Sequence, residues 1–171
     1  MKGPTLTTER LIMRPWEPGD AEGMAAFYAD PSSRFVGGPF GPERAWRQVA
    51  YYAGHRALRG YGPFALEERA TGRFVGYCGP YFPLEWPEPE IAYGLLPGAR
   101  GRGLAVEAVL RALRHAYDEL GWTTAISAAD VANHASRRVS ERAGATLESR
   151  RRLMDFDAVI YRHRSPSGLA A

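Results

Sequence analysis

The segment from residue 94 to residue 108, GLLPGARGRGLAVEA, restricts the fold of this chain more than any other stretch. The residues that lead into its turn, Glu90 to Leu96, include β-branched and aromatic side chains and predict a strand. From Gly103 onward the apolar residues recur at helical spacing, and Gly121 supplies a stop signal. The sequence therefore predicts a strand, a turn rich in glycine and arginine, and a helix in direct succession.

A turn of this kind can bind an anion. The first turn of a helix leaves backbone N–H groups without partners, and these groups lie at the positive end of the helix dipole. Glycine has no Cβ, so phosphate oxygens can approach the amides closely. Arg100 and Arg102 add positive charge that is permanent at neutral pH. The pattern predicts a cradle for a diphosphate.

Two common nucleotide-binding motifs fit this segment poorly. The phosphate loop of nucleotide hydrolases needs Gly-x-x-x-x-Gly-Lys-Ser/Thr, and the chain has no such run. The dinucleotide fingerprint matches at Gly101 and Gly103, but Val106 stands where the third small residue belongs. No acidic residue ending a second strand follows at the expected distance. Neither motif accounts for the segment.

The composition is that of one globular domain. The chain has 171 residues and 45% apolar content, which is enough for a domain with a hydrophobic core. We expect this domain to span residues 1–165 and a frayed tail to span residues 166–171. No apolar run reaches membrane-spanning length, and the first residues lack the apolar core of a secretion signal. The expected location is the cytoplasm.

Cysteine, histidine and charge narrow the class of ligand. Cys78 is the only cysteine, and its place within a strand predicts a small buried side chain rather than a nucleophile. The histidines have no metal-ligand spacing, so no metal is expected. The net charge is only +3, and the tract Arg150–Arg152 lacks interleaved aromatic residues. We therefore expect neither a nucleic-acid partner nor a membrane partner, and we interpret the tract as a solvated strand end.

The chain as a whole predicts the element order β-α-α-β-β-β-α-β-α-β-β. A first strand lies within Thr8–Trp16, and a first helix begins near Asp20, which is suited to be its N-cap. A second helix spans Pro42 to Arg59, and its predicted buried stripe includes Trp46 and Leu58.

Short motifs along this order resemble a known family. Residues 100–105, RGRGLA, match Arg/Gln-x-x-Gly-x-Gly/Ala, the pyrophosphate-binding motif of the GNAT superfamily of acyl-CoA-dependent N-acetyltransferases. Residues 8–15 (TERLIMRP), 90–95 (EIAYGL) and 133–136 (NHAS) resemble the subgroup that includes the ribosomal-protein N-terminal acetyltransferases, the RimJ/RimL-like proteins. The resemblance implies an α+β (mixed α/β) single domain in the GNAT fold, with a mostly antiparallel sheet whose central strands splay apart.

The resemblance also implies a binding site for acetyl-CoA. In this family the pantetheine arm pairs with the strand before the cradle, which corresponds here to Leu95 and Leu96. Asn133 would reach the same arm, and Ser136 would lie near the thioester sulfur. Without the resemblance, the two leucines also suit a core and Asn133 suits a helix N-cap. The residues expected around the pyrophosphate are Arg100, Gly101, Arg102, Gly103, Leu104 and Ala105.

Acetyl transfer to an amine also needs a base and a group that assists the leaving thiolate. Related enzymes often place a base, acting directly or through water, at the position of Glu90. Glu85 and Glu88 are alternatives, and a solvated strand end is another reading of Glu90. Many relatives carry a tyrosine acid where this chain has Ser140. Either Ser136 or a water substitutes for it, or the CoA thiol, whose pKa is about 8.5, needs no acid.

These observations predict an acetyltransferase that moves an acetyl group from acetyl-CoA to a primary amine by direct attack in a ternary complex. The acceptor, a protein N-terminus or a small-molecule amine, stays open. Tyr77, Tyr81, Phe82 and Trp86 are candidate walls of its pocket, although a core or an interface explains them as well. The alternative function is a non-catalytic acyl-CoA-binding or regulatory domain of the same fold. Relatives are often dimers, so a homodimer is also considered.

Overall fold

The computed structural model describes residues 3–165. The strands are β1 (Leu6–Thr7), β2 (Leu11–Arg14), β3 (Phe64–Glu68), β4 (Arg73–Tyr81), β5 (Glu90–Leu95), β6 (Ala125–Asp130), β7 (Thr146–Leu153) and β8 (Phe156–His163). The α-helices are α1 (Asp20–Ala29), α2 (Pro42–Arg59), α3 (Leu104–Arg114) and α4 (His134–Arg142), joined by 3-10 helices at Pro31–Val36 and Pro97–Ala99 and a π-helical turn at His115–Glu119. The predicted order is present, with β1 as an additional short strand. The predicted tail, residues 166–171, lies outside the described residues.

All eight strands belong to one sheet in the order β1-β2-β3-β4-β5-β6-β8-β7. Neighbouring strands are antiparallel except for β5 and β6, which run parallel. Helices pack on both faces of the sheet, α3 on one and α1 with α2 on the other. The predicted fold class, a mixed α/β domain with a mostly antiparallel sheet, is confirmed.

The parallel pair at the centre of the sheet separates almost at once. β5 and β6 share a single register pair, Glu90 with Ile126. Nearby, the Ile126 amide donates to the Pro89 carbonyl at 2.9 Å, and the Ser127 hydroxyl donates to the Ile91 carbonyl at 3.0 Å. Beyond this point β5 pairs only with β4, and β6 pairs only with β8. The central strands therefore splay, as predicted, and leave space between their carboxyl ends.

The core confirms some predicted burial and corrects the rest. Cys78 is fully buried, as predicted, and burial raises the pKa of its thiol. The predicted stripe of α2, which also included Val49, is correct at Val49, which is buried, and wrong at Trp46 and Leu58, which are 58% and 90% exposed. The helix instead buries a face made partly of residues with polar ends, which an apolar pattern does not detect. These buried residues are Ala45, Val49, Tyr52, His55 and Arg56.

The predicted N-cap of α1 is also wrong. Gly19 is the N-cap, and Asp20 is the first helical residue, buried at 3% exposure. Its carboxylate accepts two hydrogen bonds from the Arg14 guanidinium, each 2.9 Å long, and one from the Glu17 amide at 2.8 Å. The ion pair with β2 draws the carboxylate away from the helix end, so a tertiary contact outweighs the local capping preference.

Candidate active site

The predicted cradle is a left-handed glycine turn at the start of α3. Gly101 has a φ of 73°, and Gly103, the N-cap of α3, has a φ of 80°. Residues with a Cβ rarely adopt these angles, which explains why glycine is needed at both positions. The Glu107 amide is the first to donate within the helix, to the Gly103 carbonyl at 3.2 Å. The amides before it lack intrahelical partners, which is the geometry of an anion site.

The two arginines of the turn have different surroundings. The Arg100 guanidinium donates to the Leu95 carbonyl at 2.9 Å and to the Ser32 hydroxyl at 2.7 Å, which ties the turn to β5. The Arg102 guanidinium is paired with Glu68 at the end of β3. Arg100 therefore faces the space beside β5, whereas part of the Arg102 charge is neutralised by the sheet.

A cavity of about 300 Å³ lies beside the turn, between β5, α3 and α4, and we call it the cradle cavity. Leu96 and Arg102 do not line it; Leu96 instead packs against the core under α1 and α2. The predicted acetyl-CoA residues that line it are Leu95, Arg100, Gly101, Gly103, Leu104, Ala105, Asn133 and Ser136.

A second cavity, of about 600 Å³, is bounded by α1, α2, the strands β4 to β6 and the turn between β7 and β8. We call it the tyrosine cavity, because six of the residues that line it are tyrosines. Phe82, one of the predicted pocket residues, is not among its lining and packs instead against the Arg59 guanidinium, 5.1 Å from the ring centre. The aromatic lining residues are Tyr28, Phe35, Tyr51, Tyr52, Tyr77, Tyr81, Trp86, Tyr93 and Phe156.

The two cavities meet. Phe35, Val36, Tyr93, Asn133 and Ser136 line both of them. A molecule seated in the cradle cavity and another in the tyrosine cavity would therefore come together beside these side chains, at the opening between the splayed strands.

Glu90 lies in the wall of the tyrosine cavity. Its side chain is 6% exposed, and one carboxylate oxygen accepts a hydrogen bond from the Ala128 amide at 3.0 Å. Burial raises the pKa of Glu90 to about 7, although the Ala128 amide and the Trp86 indole act in the opposite direction. A carboxylate with a pKa near neutrality is suited to accept and release protons at physiological pH.

The two neighbouring acids are placed differently. Glu88 forms hydrogen bonds with the Arg162 guanidinium at 2.5 and 2.9 Å, and these bonds hold the pKa of Glu88 below its usual range. Glu85 is exposed. Neither lines the tyrosine cavity, so Glu90 is the one acid of the three that faces it.

A cluster of three hydroxyl groups lies where the cavities meet. The Tyr93 hydroxyl lies 2.9 Å from the Ser136 hydroxyl and 3.0 Å from the Ser140 hydroxyl, and it can donate to the Ser136 carbonyl at 2.9 Å. Burial raises the pKa of Tyr93 to about 12, so the phenol stays protonated. Asn133 caps α4 by accepting a hydrogen bond from the Ser136 amide at 3.1 Å.

Sequence reasoning missed Tyr93. The residue alternates with Ile91 and Leu95 on β5, and such a pattern indicates core packing on the α3 side of the sheet. The one available signal was Ser140, a small polar residue at the position where many relatives carry a tyrosine. The structure shows that a phenol from β5 lies against that serine.

The arrangement of the chain agrees with a family of known proteins. A family model described as an acetyltransferase (GNAT) domain matches residues 10–146. This chain belongs to the GNAT acetyltransferases. The resemblance to this family inferred from the RGRGLA segment is thereby confirmed, and transfer of an acetyl group from acetyl-CoA is the reaction of this family.

Solved structures of GNAT proteins cover nearly the whole chain. An acetyltransferase from Agrobacterium tumefaciens is 31% identical, with a TM-score of 0.87 and 96% of each chain covered. The ribosomal-protein-S5-alanine acetyltransferase from Vibrio fischeri shares the fold at 14% identity, with a TM-score of 0.75, covering 96% of this chain and 98% of that one. RimL, in complex with coenzyme A, shares it at 18% identity with a TM-score of 0.75, covering 94% and 97%.

The described residues contain neither a metal-binding group nor a membrane-spanning helix. Between residues 3 and 165, no three side chains among His, Cys, Asp and Glu are grouped so that they could hold a metal ion. No helix in the described part of the chain combines the length and the apolar character needed to cross a membrane.

Proposed function

We propose that this GNAT protein transfers an acetyl group from acetyl-CoA to a primary amine, by direct attack of the amine on the thioester in a ternary complex. The observation that carries this proposal is that two cavities meet and that Glu90 lies in the wall of one of them. One cavity has an anion-binding turn and the other contains a carboxylate whose pKa is about 7. Two substrates seated in these cavities would react without a covalent intermediate on the enzyme.

In this proposal the diphosphate of acetyl-CoA is held by the amides from Gly101 to Ala105, with Arg100 supplying positive charge. The left-handed turn supports this, because an added Cβ at Gly101 would meet no heavy atom within 4 Å and the position faces open space. The pantetheine arm follows the β5 edge that β6 leaves unpaired, near Leu95 and Asn133. Leu96 and the Arg102 side chain take less part, since neither lines the cradle cavity.

Glu90 is the proposed base. An ammonium group loses a proton to its carboxylate, directly or through one water, and the nitrogen lone pair then attacks the thioester carbon. The C–N bond forms, the nitrogen releases its second proton to water, the C–S bond breaks, and CoA leaves as a thiolate. The raised pKa of Glu90 matches this role, because a carboxylate of ordinary pKa is a weaker base.

Ser136 is proposed to assist the thiolate by hydrogen bonding. The pKa of Tyr93 is about 12, so the phenol is a weaker acid than the CoA thiol, whose pKa is about 8.5. Proton transfer from the phenol to sulfur is therefore unfavourable. We assign Tyr93 to the orientation of the Ser136 hydroxyl, which lies 2.9 Å away, and the sulfur takes its final proton from water.

Release of CoA thiol across a panel of primary amines tests the proposal. We expect the Glu90→Gln variant to lose about 100-fold or more of the wild-type rate, as for other general bases. Glu85→Gln is the matched control, because Glu85 is exposed and lies outside both cavities. Turnover that survives in Glu90→Gln would remove Glu90 from the mechanism. No turnover by the wild type, with CoA binding retained in calorimetry, would favour the non-catalytic alternative.

A further inference from the structure

The ionisable groups around the tyrosine cavity have the opposite charge balance to the chain. The chain has 22 basic and 19 acidic residues and a net charge of +3. The cavity is lined by three carboxylates, Glu90, Asp130 and Asp155, and by one cation, Arg34. A ligand of this cavity therefore meets a locally negative surface on a positively charged protein.

These three carboxylates also lack an arginine partner, which most acidic residues of this chain have. Asp155 forms no ion pair or hydrogen bond within the described residues. The Asp130 carboxylate accepts one hydrogen bond, from the Ala132 amide at 2.7 Å. Glu90 accepts one from the Ala128 amide. Arg34 forms no ion pair with any of them within the described residues; its guanidinium lies over the Phe35 ring, 4.3 Å from the ring centre. Acids elsewhere that pair with arginine are Asp20, Asp30, Glu43, Glu67, Glu68, Glu88, Glu107, Glu119, Glu148 and Asp157.

The neutral part of the wall favours a cation as well. Aromatic faces attract ammonium groups through the ring quadrupole, and phenol oxygens accept hydrogen bonds from them. Burial raises the pKa of Tyr28 to about 12 and those of Tyr52 and Tyr77 well above their usual value, so the phenols stay uncharged. The Tyr51 and Tyr81 hydroxyls lie 3.2 Å apart in the same wall. A volume of about 600 Å³ suits a small molecule.

The carboxylates lie at different depths. Glu90 is buried at the start of β5 in the cavity wall, whereas Asp155 is exposed in the turn between β7 and β8, next to Met154, which is 82% exposed. Carboxylates accept hydrogen bonds and donate none, so Asp130 and Asp155 suit a second ammonium group and repel a carboxylate. They cannot donate hydrogen bonds to the carbonyl groups of a peptide.

From these observations we infer that the acceptor is a small amine with a second positive charge, a di- or polyamine. One amino group lies beside Glu90 and is acetylated, and the other is held by Asp130 and Asp155 among the tyrosines. This inference rests on the proposed function, because it names the class of amine that the same site uses.

Three matched amines test the inference. Cadaverine, n-pentylamine and δ-aminovalerate share a primary amine on a five-carbon chain and differ only in the far end, which is positive, neutral or negative. For each, calorimetry with CoA present gives the Kd, and thiol release from acetyl-CoA gives kcat/KM. We expect cadaverine to bind about tenfold or more tightly than pentylamine, and δ-aminovalerate to bind most weakly, because a charged hydrogen bond at the far end is gained, absent or replaced by repulsion.

Variants identify the carboxylates that are responsible for the preference for cadaverine. Asp155→Asn and Asp130→Asn should each reduce the preference for cadaverine over pentylamine and leave pentylamine itself little changed; the asparagine oxygen at position 130 can still accept from the Ala132 amide. The matched control is Asp157→Asn, since Asp157 lies in the same hairpin but outside the cavity, near Arg150 and Arg152. It should keep the full preference.

The outcomes separate this inference from the proposed function. Equal binding of cadaverine and pentylamine, or a preference that both aspartate variants retain, overturns the inference. If δ-aminovalerate, or the N-terminus of an uncharged peptide, is turned over faster than cadaverine, the inference is overturned and the proposed acetyl transfer stands. If the binding order is as expected but no thiol is released from any amine, the cation site stands and the proposed catalytic function fails.

Discussion

Replacing Glu90 by glutamine should stabilise the folded protein at alkaline pH, although it removes the proposed base. Burial raises the pKa of Glu90 from its ordinary value of 4.5 to about 7 in the folded state. Between these two values the native protein keeps a proton that the unfolded chain has released, so stability falls as the pH rises through this range. A pKa difference of about 2.5 corresponds to about 3 kcal/mol. Glutamine avoids this cost because it cannot ionise, and its oxygen can still accept from the Ala128 amide.

Urea unfolding of the wild type and Glu90→Gln at two pH values measures this effect. We expect the variant to be more stable by about 1 kcal/mol at pH 5 and by about 3 kcal/mol at pH 8. Unfolding is a better assay here than rate, because the acceptor amine also titrates and contributes its own limb to a pH–rate profile. A difference between the two proteins that is the same at both pH values would refute the reasoning.

Glu88→Gln is the control, since the pKa of Glu88 is shifted in the opposite direction from that of Glu90. Hydrogen bonds from Arg162 hold the pKa of Glu88 below its usual range. A lowered pKa contributes stability that is present above the unfolded value and is lost only as the pH falls below it. Glu88→Gln should therefore be destabilised by a similar amount at pH 5 and pH 8. A pH-dependent difference in this variant as well would indicate a general effect of charge rather than the burial of one carboxylate.

Three further predictions concern other parts of the site and the fold. Tyr93→Phe should lower kcat about tenfold or more with little change in KM for acetyl-CoA, since the hydroxyl cluster loses its centre; an unchanged kcat in steady-state kinetics would contradict this. Gly103→Ala, at a φ of 80°, should cost about 1–2 kcal/mol in urea unfolding, whereas Gly98→Ala, where an added Cβ meets nothing within 4 Å, should cost less than about 0.5 kcal/mol. Asp20→Asn should cost about 3 kcal/mol because it breaks a buried ion pair, and Glu43→Gln, which breaks an exposed one, about 0.5 kcal/mol or less.

The cradle could be predicted from sequence because its chemistry is local. Glycines at 101 and 103 directly precede the helical pattern, and glycine adopts the left-handed angles of this turn without strain. The position of Glu90 could be predicted for a similar reason, since it depends only on where one strand begins. The prediction left Glu85 and Glu88 as alternatives, and the folded structure separates the three, because Glu85 is exposed, Glu88 is paired with Arg162 on β8 and Glu90 lines the tyrosine cavity.

The contacts that sequence reasoning missed join residues that are distant in the chain. The hydroxyl of Tyr93 reaches Ser136 and Ser140, 43 and 47 residues away, and nothing near Tyr93 distinguishes it from a core residue of β5. Tyr52 and Arg56 of the buried face of α2 were missed because they carry polar ends, and the Arg56 guanidinium meets its acceptor, the Gly62 carbonyl, only in the folded protein. Such positions depend on tertiary partners. The periodicity of a single helix or strand carries no information about these partners.

One feature of the sheet sets both the basicity of Glu90 and its access to an amine. β5 and β6 pair only at Glu90 and Ile126, and this pairing encloses the carboxylate beside the Ala128 amide, where burial raises its pKa to about 7. Just beyond, the strands separate, and Tyr93 of β5 meets Ser136 of α4 where the two cavities join. A longer ladder would close the route from the tyrosine cavity to the cradle, and no ladder at all would leave Glu90 hydrated with an ordinary pKa. In the proposed mechanism, the early splay of the central strands is therefore what allows Glu90 to meet the amine.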